Sequence, residues 1–263
     1  MSFTPIIPFS GFAGWSFLQN SLSAQKEAFE ASPVLQSDTA YFTENIGNVQ
    51  TAEDLVGDYR LLKVTLGAFG LDDDLPNKAF IQKVLEEGSL DSESFANGMV
   101  DKRYLALTEA FGFDLGTPNT QLSDFAAEIV ESYNTRQFEI AVGEQDTDMR
   151  LSLGLERDLG EIVGGDNTAN GKWYSVLGNE PLLTVFQTAL NIPKDASSLD
   201  LDSQVEYMRE HAAAVFGDAE VDQFSDPERL EELNRLFLVR SQINDISAGM
   251  SSGAIALTLL QAI

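Results

Sequence analysis

One stretch of this sequence has an echo further along the chain. Gly57-Asp-Tyr-Arg-Leu-Leu-Lys-Val-Thr-Leu-Gly-Ala-Phe-Gly-Leu71 aligns without gaps on Gly178-Asn-Glu-Pro-Leu-Leu-Thr-Val-Phe-Gln-Thr-Ala-Leu-Asn-Ile192. Between them, Asp101-Lys-Arg-Tyr-Leu-Ala-Leu-Thr-Glu-Ala-Phe-Gly-Phe113 echoes the first copy but is one residue shorter. The copies end alike. Gly70, Gly112 and Asn191 are residue types that enter the left-handed conformation cheaply, and each is followed by an apolar residue: Leu71, Phe113 or Ile192. This is the pattern of a Schellman-type helix stop, whose trailing apolar side chain folds back on the last turn. Duplication and repeated use of a common stop both account for it. Either way these residues are structural, not catalytic.

The rest of the chain reads as helix. Thr51-Ala-Glu-Asp54 is a capping box, in which the hydroxyl and the carboxylate satisfy free amides of the first turn. Leu55, Tyr59, Leu62 and Leu66 follow it at helical spacing. Ser225-Asp-Pro-Glu228 is a second box, with Pro227 tolerated because the first turn needs no amide donor there. It opens a helix carrying Leu230, Leu233, Leu236 and Phe237 on one face. Further helices are expected over 13–30, 75–87, 122–139, 148–162, 204–216 and 253–262. Period-2 alternation is scarce, and no Asn-Gly hairpin lies between β-branched runs. The predicted fold is an all-α multi-helix bundle with internally similar segments. The Gly/Asn-rich stretch 164–171 is the candidate boundary between a part at 1–163, holding two of the stops, and a part at 172–263, holding the third. With no low-complexity linker, the two parts are expected to pack together.

Composition narrows the chemistry. The chain has 263 residues, no Cys and one His, which leaves no thiol nucleophile, disulfide, cysteine-ligated zinc or multi-histidine metal site. Acids outnumber bases 42 to 16, a formal charge of −26. Phosphate backbones are bound mainly by basic residues that release counterions, so nucleic acid is not an expected partner, and an anionic membrane surface is repelled. The 43% hydrophobic content is enough for a core. No uninterrupted apolar run approaches the ~18 residues of a membrane span. The first basic residue is Lys26, and Pro5, Pro8, Gly11 and Gly14 break the apolar opening, so no cleaved signal peptide is expected.

No motif builds a reaction centre, and no cofactor is expected. His211 lies in a helix interior, with no Gly-x-Ser-x-Gly elbow to supply a partner. Gly164–Lys172 resembles a phosphate-binding loop, but Gly165 and Gly171 are too far apart by one residue and Trp173 replaces the magnesium-binding hydroxyl. Asp166-x-Thr-x-Asn-Gly171 resembles the start of a calcium loop, yet Leu177 stands where the closing carboxylate belongs. The acid groups Asp72–Asp74, Glu144/Asp146/Asp148 and Asp200/Asp202 are read as solvated or helix-starting acids.

Two apolar ends remain. Phe12, Trp15, Leu18 and Leu22 form a helical stripe, and Ile255, Leu257, Leu259 and Leu260 line a tail rich in Ala and Ser. Both can close the core; the functional alternative is that they form a docking surface for a protein partner.

Several segments together resemble a family. Tyr41-Phe-Thr-Glu-Asn-Ile46, Asp54-Leu-Val-Gly-Asp-Tyr-Arg-Leu-Leu62, Ala68-Phe-Gly-Leu71, Lys83-Val-Leu-Glu-Glu-Gly88, Ser94-Phe-Ala-Asn97, Asp101-Lys-Arg-Tyr104, Trp173-Tyr-Ser-Val-Leu-Gly178 and Leu199-Asp-Leu-Asp-Ser-Gln204 resemble the alphaproteobacterial domain-of-unknown-function family 1217. Its members are often encoded among flagellar genes, and some are labelled basal-body rod proteins. Ser16–Glu30 lacks the Ala/Asn-rich run of true rod proteins, so the resemblance implies flagellar association without the rod signature. The expected function is non-enzymatic, through contacts with flagellar components in structure or assembly. An acidic chaperone or adaptor for exported flagellar subunits is the alternative; a carboxylate-dependent metal enzyme is a third. The expected location is the cytoplasm, or the flagellum by specialised export.

Overall fold

The computed structural model describes residues 3–99 and 101–249, with side chains there except at 194 and 246–249. Among the described residues it contains thirteen α-helices, short 3-10 turns and no strand. The predicted all-α class holds. The helix expected over 253–262 lies outside the described residues.

The chain forms two compact units. The first comprises residues 1–6 and 21–141, the second residues 7–20 and 142–263. Their limits fall inside helices α1 (Gly11–Glu30) and α8 (Phe125–Gly143). The stretch 164–171, expected as a boundary, lies within the second unit instead. There α9 (Thr147–Gly164) runs to its start and α10 (Ala169–Gly178) follows, and the two helices pack together.

In the first unit, α2 (Pro33–Asn45), α3 (Ala52–Gly57) and α7 (Arg103–Phe111) pack on α4 (Tyr59–Phe69), while α5 (Lys78–Glu87) packs on α3 and α7, and α6 (Phe95–Gly98) on α5 and α7. Leu61, Leu62, Val64, Thr65, Leu66, Gly67 and Ala68 of α4 are all buried. Phe42, Leu55, Phe111 and Tyr133 close on them in one hydrophobic core. At Gly67 a Cβ would meet the Tyr133 ring at 2.6 Å, so only glycine permits that approach.

In the second unit, α11 (Glu180–Ala189) takes the central place, against α9, α10 and α13 (Pro227–Gly249). Its Phe186 ring meets Trp173 and Phe224 edge-on at 5.4 and 5.3 Å. Phe216, at the end of α12 (Leu201–Phe216), meets Phe224 at 5.2 Å. Trp173 donates its indole N–H to Ala219 O.

The two aligned copies are α4 and α11 with their ends, and they are capped alike at both ends. Asp58 and Asn179 each end one helix and start the next. Asp58 Oδ1 accepts from the amides of Arg60 and Leu61 at 2.9 and 3.1 Å. Asn179 Oδ1 accepts from Leu182 at 3.1 Å; Pro181, which replaces Arg60, has no amide to give. At the other end Leu71 N–H donates to Leu66 O and Ile192 N–H to the aligned Gln187 O, both at 2.8 Å. Gly70 and Asn191 have φ of 70° and 55°. Then a guanidinium covers the aligned carbonyl in each unit: Arg136 of α8 donates to Ala68 O, and Arg240 of α13 to Ala189 O. The third echo shares less. Gly112 is left-handed and donates to Thr108 O, but Lys102 gives no side-chain cap at the start of α7.

Two expectations need correction. The Leu55–Leu66 stripe is not one helix, because Asp58 is extended (φ −96°, ψ 110°) and leaves Tyr59 57% exposed. The box at Thr51 forms as expected, with Asp54. At α13 the cap is Asp226, which accepts from Glu228 N at 3.0 Å, while Ser225 belongs to the preceding 3-10 turn. α2 escaped the periodicity because only Leu35 and Phe42 of it are buried.

The equivalent caps respond differently to acid. Hydrogen bonds from Tyr41 and the Leu61 and Arg60 amides, with the Arg60 charge, outweigh the effect of burial and hold the Asp58 carboxyl below the usual range. Its stabilisation is therefore complete above the ordinary Asp value and is lost as pH falls through the depressed one. Asp58→Ala and Asn179→Ala should each cost about 0.5–2 kcal/mol at pH 7. In urea melts across pH, the Asp58 penalty should shrink in acid and the Asn179 penalty should not. Arg136→Met and Arg240→Met should each cost about 1.5–3 kcal/mol, measured the same way.

Candidate docking surface

The described residues of the expected docking stripe divide by burial. Phe12 is exposed, Trp15 and Leu22 are half-buried, and Leu18 is fully enclosed in the core. Leu18 thus cannot be offered to a partner. Leu22 belongs to the first unit and the other three to the second. Ile255, Leu257, Leu259 and Leu260 lie outside the described residues.

The second unit exposes apolar side chains that sequence pattern alone did not single out. Gly11 opens α1 with φ of +64°, and a Cβ there would strike the Gln242 side chain of α13 at 2.6 Å. A Cβ on Gly14 would overlap Phe9 O at 1.8 Å and meet Met149 Cε of α9 at 2.9 Å. These two glycines seat the first turn of α1 on α9 and α13. Around that junction Phe9 is 61% exposed, and Phe12, Val239 and Ile243 are exposed as well. Val239 and Ile243 stand one turn apart on α13, a spacing visible in the sequence but overshadowed by the Leu233/Phe237 core face. Phe9 lies before the helix, where periodicity carries no signal.

Two acids lie at the start of α9. Asp146 caps α9, accepting from Met149 N at 3.1 Å. Asp148 accepts a hydrogen bond from the Ser241 hydroxyl of α13. Burial raises the Asp148 carboxyl above the usual range, the Ser241 bond opposes this, and the Asp146 and Asp245 charges add to it. Asp148 is therefore not the freely solvated acid its sequence context suggests.

The other acids and candidate ligands have structural duties. Asp72 accepts from Gln137 Nε2 and Asp74 from the Tyr104 hydroxyl. Asp200 caps α12, and Asp202 accepts from Tyr174. In the loop with calcium-like spacing, Thr168 caps α10 through Gly171 N and Asn170 Oδ1 accepts from Arg209. Lys172 is buried, donating to Val163 O and Asp222. His211 meets the Tyr207 ring edge-on at 4.4 Å, and its Nε2 has no hydrogen-bond partner. Among the described residues no three His, Asp or Glu side chains are grouped to hold a metal ion. Nor is any helix there long and apolar enough to cross a membrane.

Asp148 yields a prediction with a definite sign. Its raised carboxyl destabilises the fold at neutral pH, and the penalty is relieved as pH falls through the raised value toward the ordinary one. The first turn of a helix favours an anion, so the net gain from neutralisation is small. Asp148→Asn should raise Tm by about 1–2 °C at pH 7 and lose that advantage near pH 4, as followed by thermal denaturation.

Comparison with known proteins adds the family. The crystal structure of protein AGR_C_984 from Agrobacterium tumefaciens is similar, with a TM-score of 0.73 and 25% identity. The match covers 92% of this chain and 99% of that one. No curated protein matches. The family model described as a protein of unknown function, DUF1217, matches residues 68–230, more than half of the chain. The chain belongs to this alphaproteobacterial family, DUF1217.

Proposed function

We propose that this protein acts through contacts with other proteins, in flagellar structure or assembly, and not by catalysing a reaction. The observation that carries this reading is the set of apolar side chains that the second unit exposes at the start of α1 and along α13. Phe9, Phe12, Val239 and Ile243 stand in water there, at a place two close-packed glycines hold in shape. Exposed apolar clusters on otherwise charged proteins mark interaction surfaces. The flagellar context comes from the family, whose members are often found among flagellar genes.

The charge favours one variant of this reading. A net −26 repels copies of the chain from one another and attracts basic segments of other proteins. An acidic adaptor that shields subunits before export fits that balance, with the cytoplasm as its place of action. Deleting the gene should impair swimming and filament assembly, and supplying the chain in trans should restore both. Normal motility and normal filaments in the deletion strain would remove the flagellar role.

A further inference from the structure

We propose that a groove in the first unit, between the end of α1, α2 and α8, is the docking site for a basic helix of a partner protein; this rests on the contact function above and gives it a second face. The groove is open and holds about 610 Å³. Glu30 ends α1, Thr43 lies on α2, and Ala127, Val130, Glu131 and Asn134 lie on α8. All belong to the first unit. α8 turns Phe125, Ile129 and Tyr133 into the core. Its groove face is left uncovered, with Ala127 and Glu131 exposed and Val130 and Asn134 half-buried. Phe29 meets Phe138 edge-on at 5.6 Å, which seats the last turns of α1 beside α8.

The lining selects the occupant. Ala127, Val130 and Asn134 recur at helical spacing along about two turns of α8, about 10 Å. Side chains this small let a second helix approach closely, its ridge seated in the groove. The two glutamates add negative charge. Among the described residues no Lys or Arg lines the groove, and neither glutamate has an ion-pair partner. Lys26, one turn before Glu30 on α1, does not line it, and cations of neighbouring helices are engaged elsewhere: Lys63 on Asp38, Arg136 on Ala68 O. Asn134 Oδ1 lacks a hydrogen-bond partner, an unmet acceptor that the N–H of a Lys or Arg satisfies once the amide turns about its last torsion. A second copy in two-fold contact would set Glu30 and Glu131 against their own equivalents. Residues 250–263 of this chain carry no charged side chain, so they cannot neutralise the acids either. A partner helix with Lys or Arg beside a narrow apolar ridge matches the whole lining. Its ridge covers Ala127 and Val130, and its cations meet the glutamates and Asn134.

The test uses the full chain and a fluorescein-labelled helical peptide with Leu and Lys on adjoining faces, beside a Leu/Glu counterpart, followed by anisotropy. Saturable one-to-one binding is expected for the Leu/Lys peptide only. Glu30→Gln with Glu131→Gln should weaken it about tenfold at low salt, and the difference should shrink as salt is raised. Ala127→Trp, at an exposed position, places a ring in the groove and should weaken binding at every salt concentration. Glu53→Gln with Asp73→Asn, exposed acids of the same unit outside the groove, should leave it unchanged, with helical content checked by circular dichroism throughout. Binding that neither groove variant weakens, equal loss in the control pair, equal binding of the Leu/Glu peptide, or displacement of the peptide by an equal concentration of spermidine would each overturn the docking site. In cells, the Ala127→Trp chain should fail to restore swimming to the deletion strain. Full restoration would overturn the groove as a partner site while leaving the flagellar role standing. A deletion strain that swims normally removes that role, and the peptide measurement then decides the groove by itself.

Discussion

Both units depend on finishing a short helix inside a core. α4 and α11 lie at the centre of their units, and each ends among packed neighbours. A helix end leaves free amides at one terminus and free carbonyls at the other, and burying them unsatisfied is costly. The same solution appears twice. An Asx side chain takes the first amides, a left-handed residue lets the chain turn back on its own carbonyls, and an arginine from a later helix takes the carbonyl of Ala68 or Ala189. That arginine also fixes where the later helix sits, since Tyr133 and Phe237 lie one turn before Arg136 and Arg240 and are both buried. The pairing of central helix with arginine-bearing helix is the element on which the rest of each unit is arranged.

Much of this was legible in the sequence, and for a physical reason. Helix stops and capping boxes are local devices, set by residue type within a few positions, so Gly70, Asn191 and the Thr51–Asp54 box could be read directly. The break at Asp58 could not, because its neighbours keep helical spacing and only the side chain's choice of Arg60 and Leu61 amides ends the run. Asp226 was mistaken for a box interior because the preceding 3-10 turn absorbs Ser225. The arginine caps were beyond reach altogether, since a contact from residue 136 to residue 68 has no local signature. The docking stripe was half visible. Helical spacing grouped Phe12 with Leu18, yet burial separates them, and Phe9, Val239 and Ile243 enter only when α1 and α13 are seen side by side.

The acidic balance gains meaning from placement. Most acids whose bonds are resolved serve helix starts or accept from a nearby hydroxyl or amide, as Asp54, Asp58, Asp146, Asp200 and Asp226 do. Asp148 differs, because it is itself partly desolvated and the charges of Asp146 and Asp245 bear on it.

The most direct measurement is site-specific photocross-linking in living cells, with a benzophenone side chain placed at Phe12 and, as a control, at the exposed Tyr59 of the first unit. The account predicts that position 12 links to one flagellar protein and that position 59 does not. Linking of both positions to the same mixture of proteins, or of position 12 only to a second copy of the chain, would contradict it.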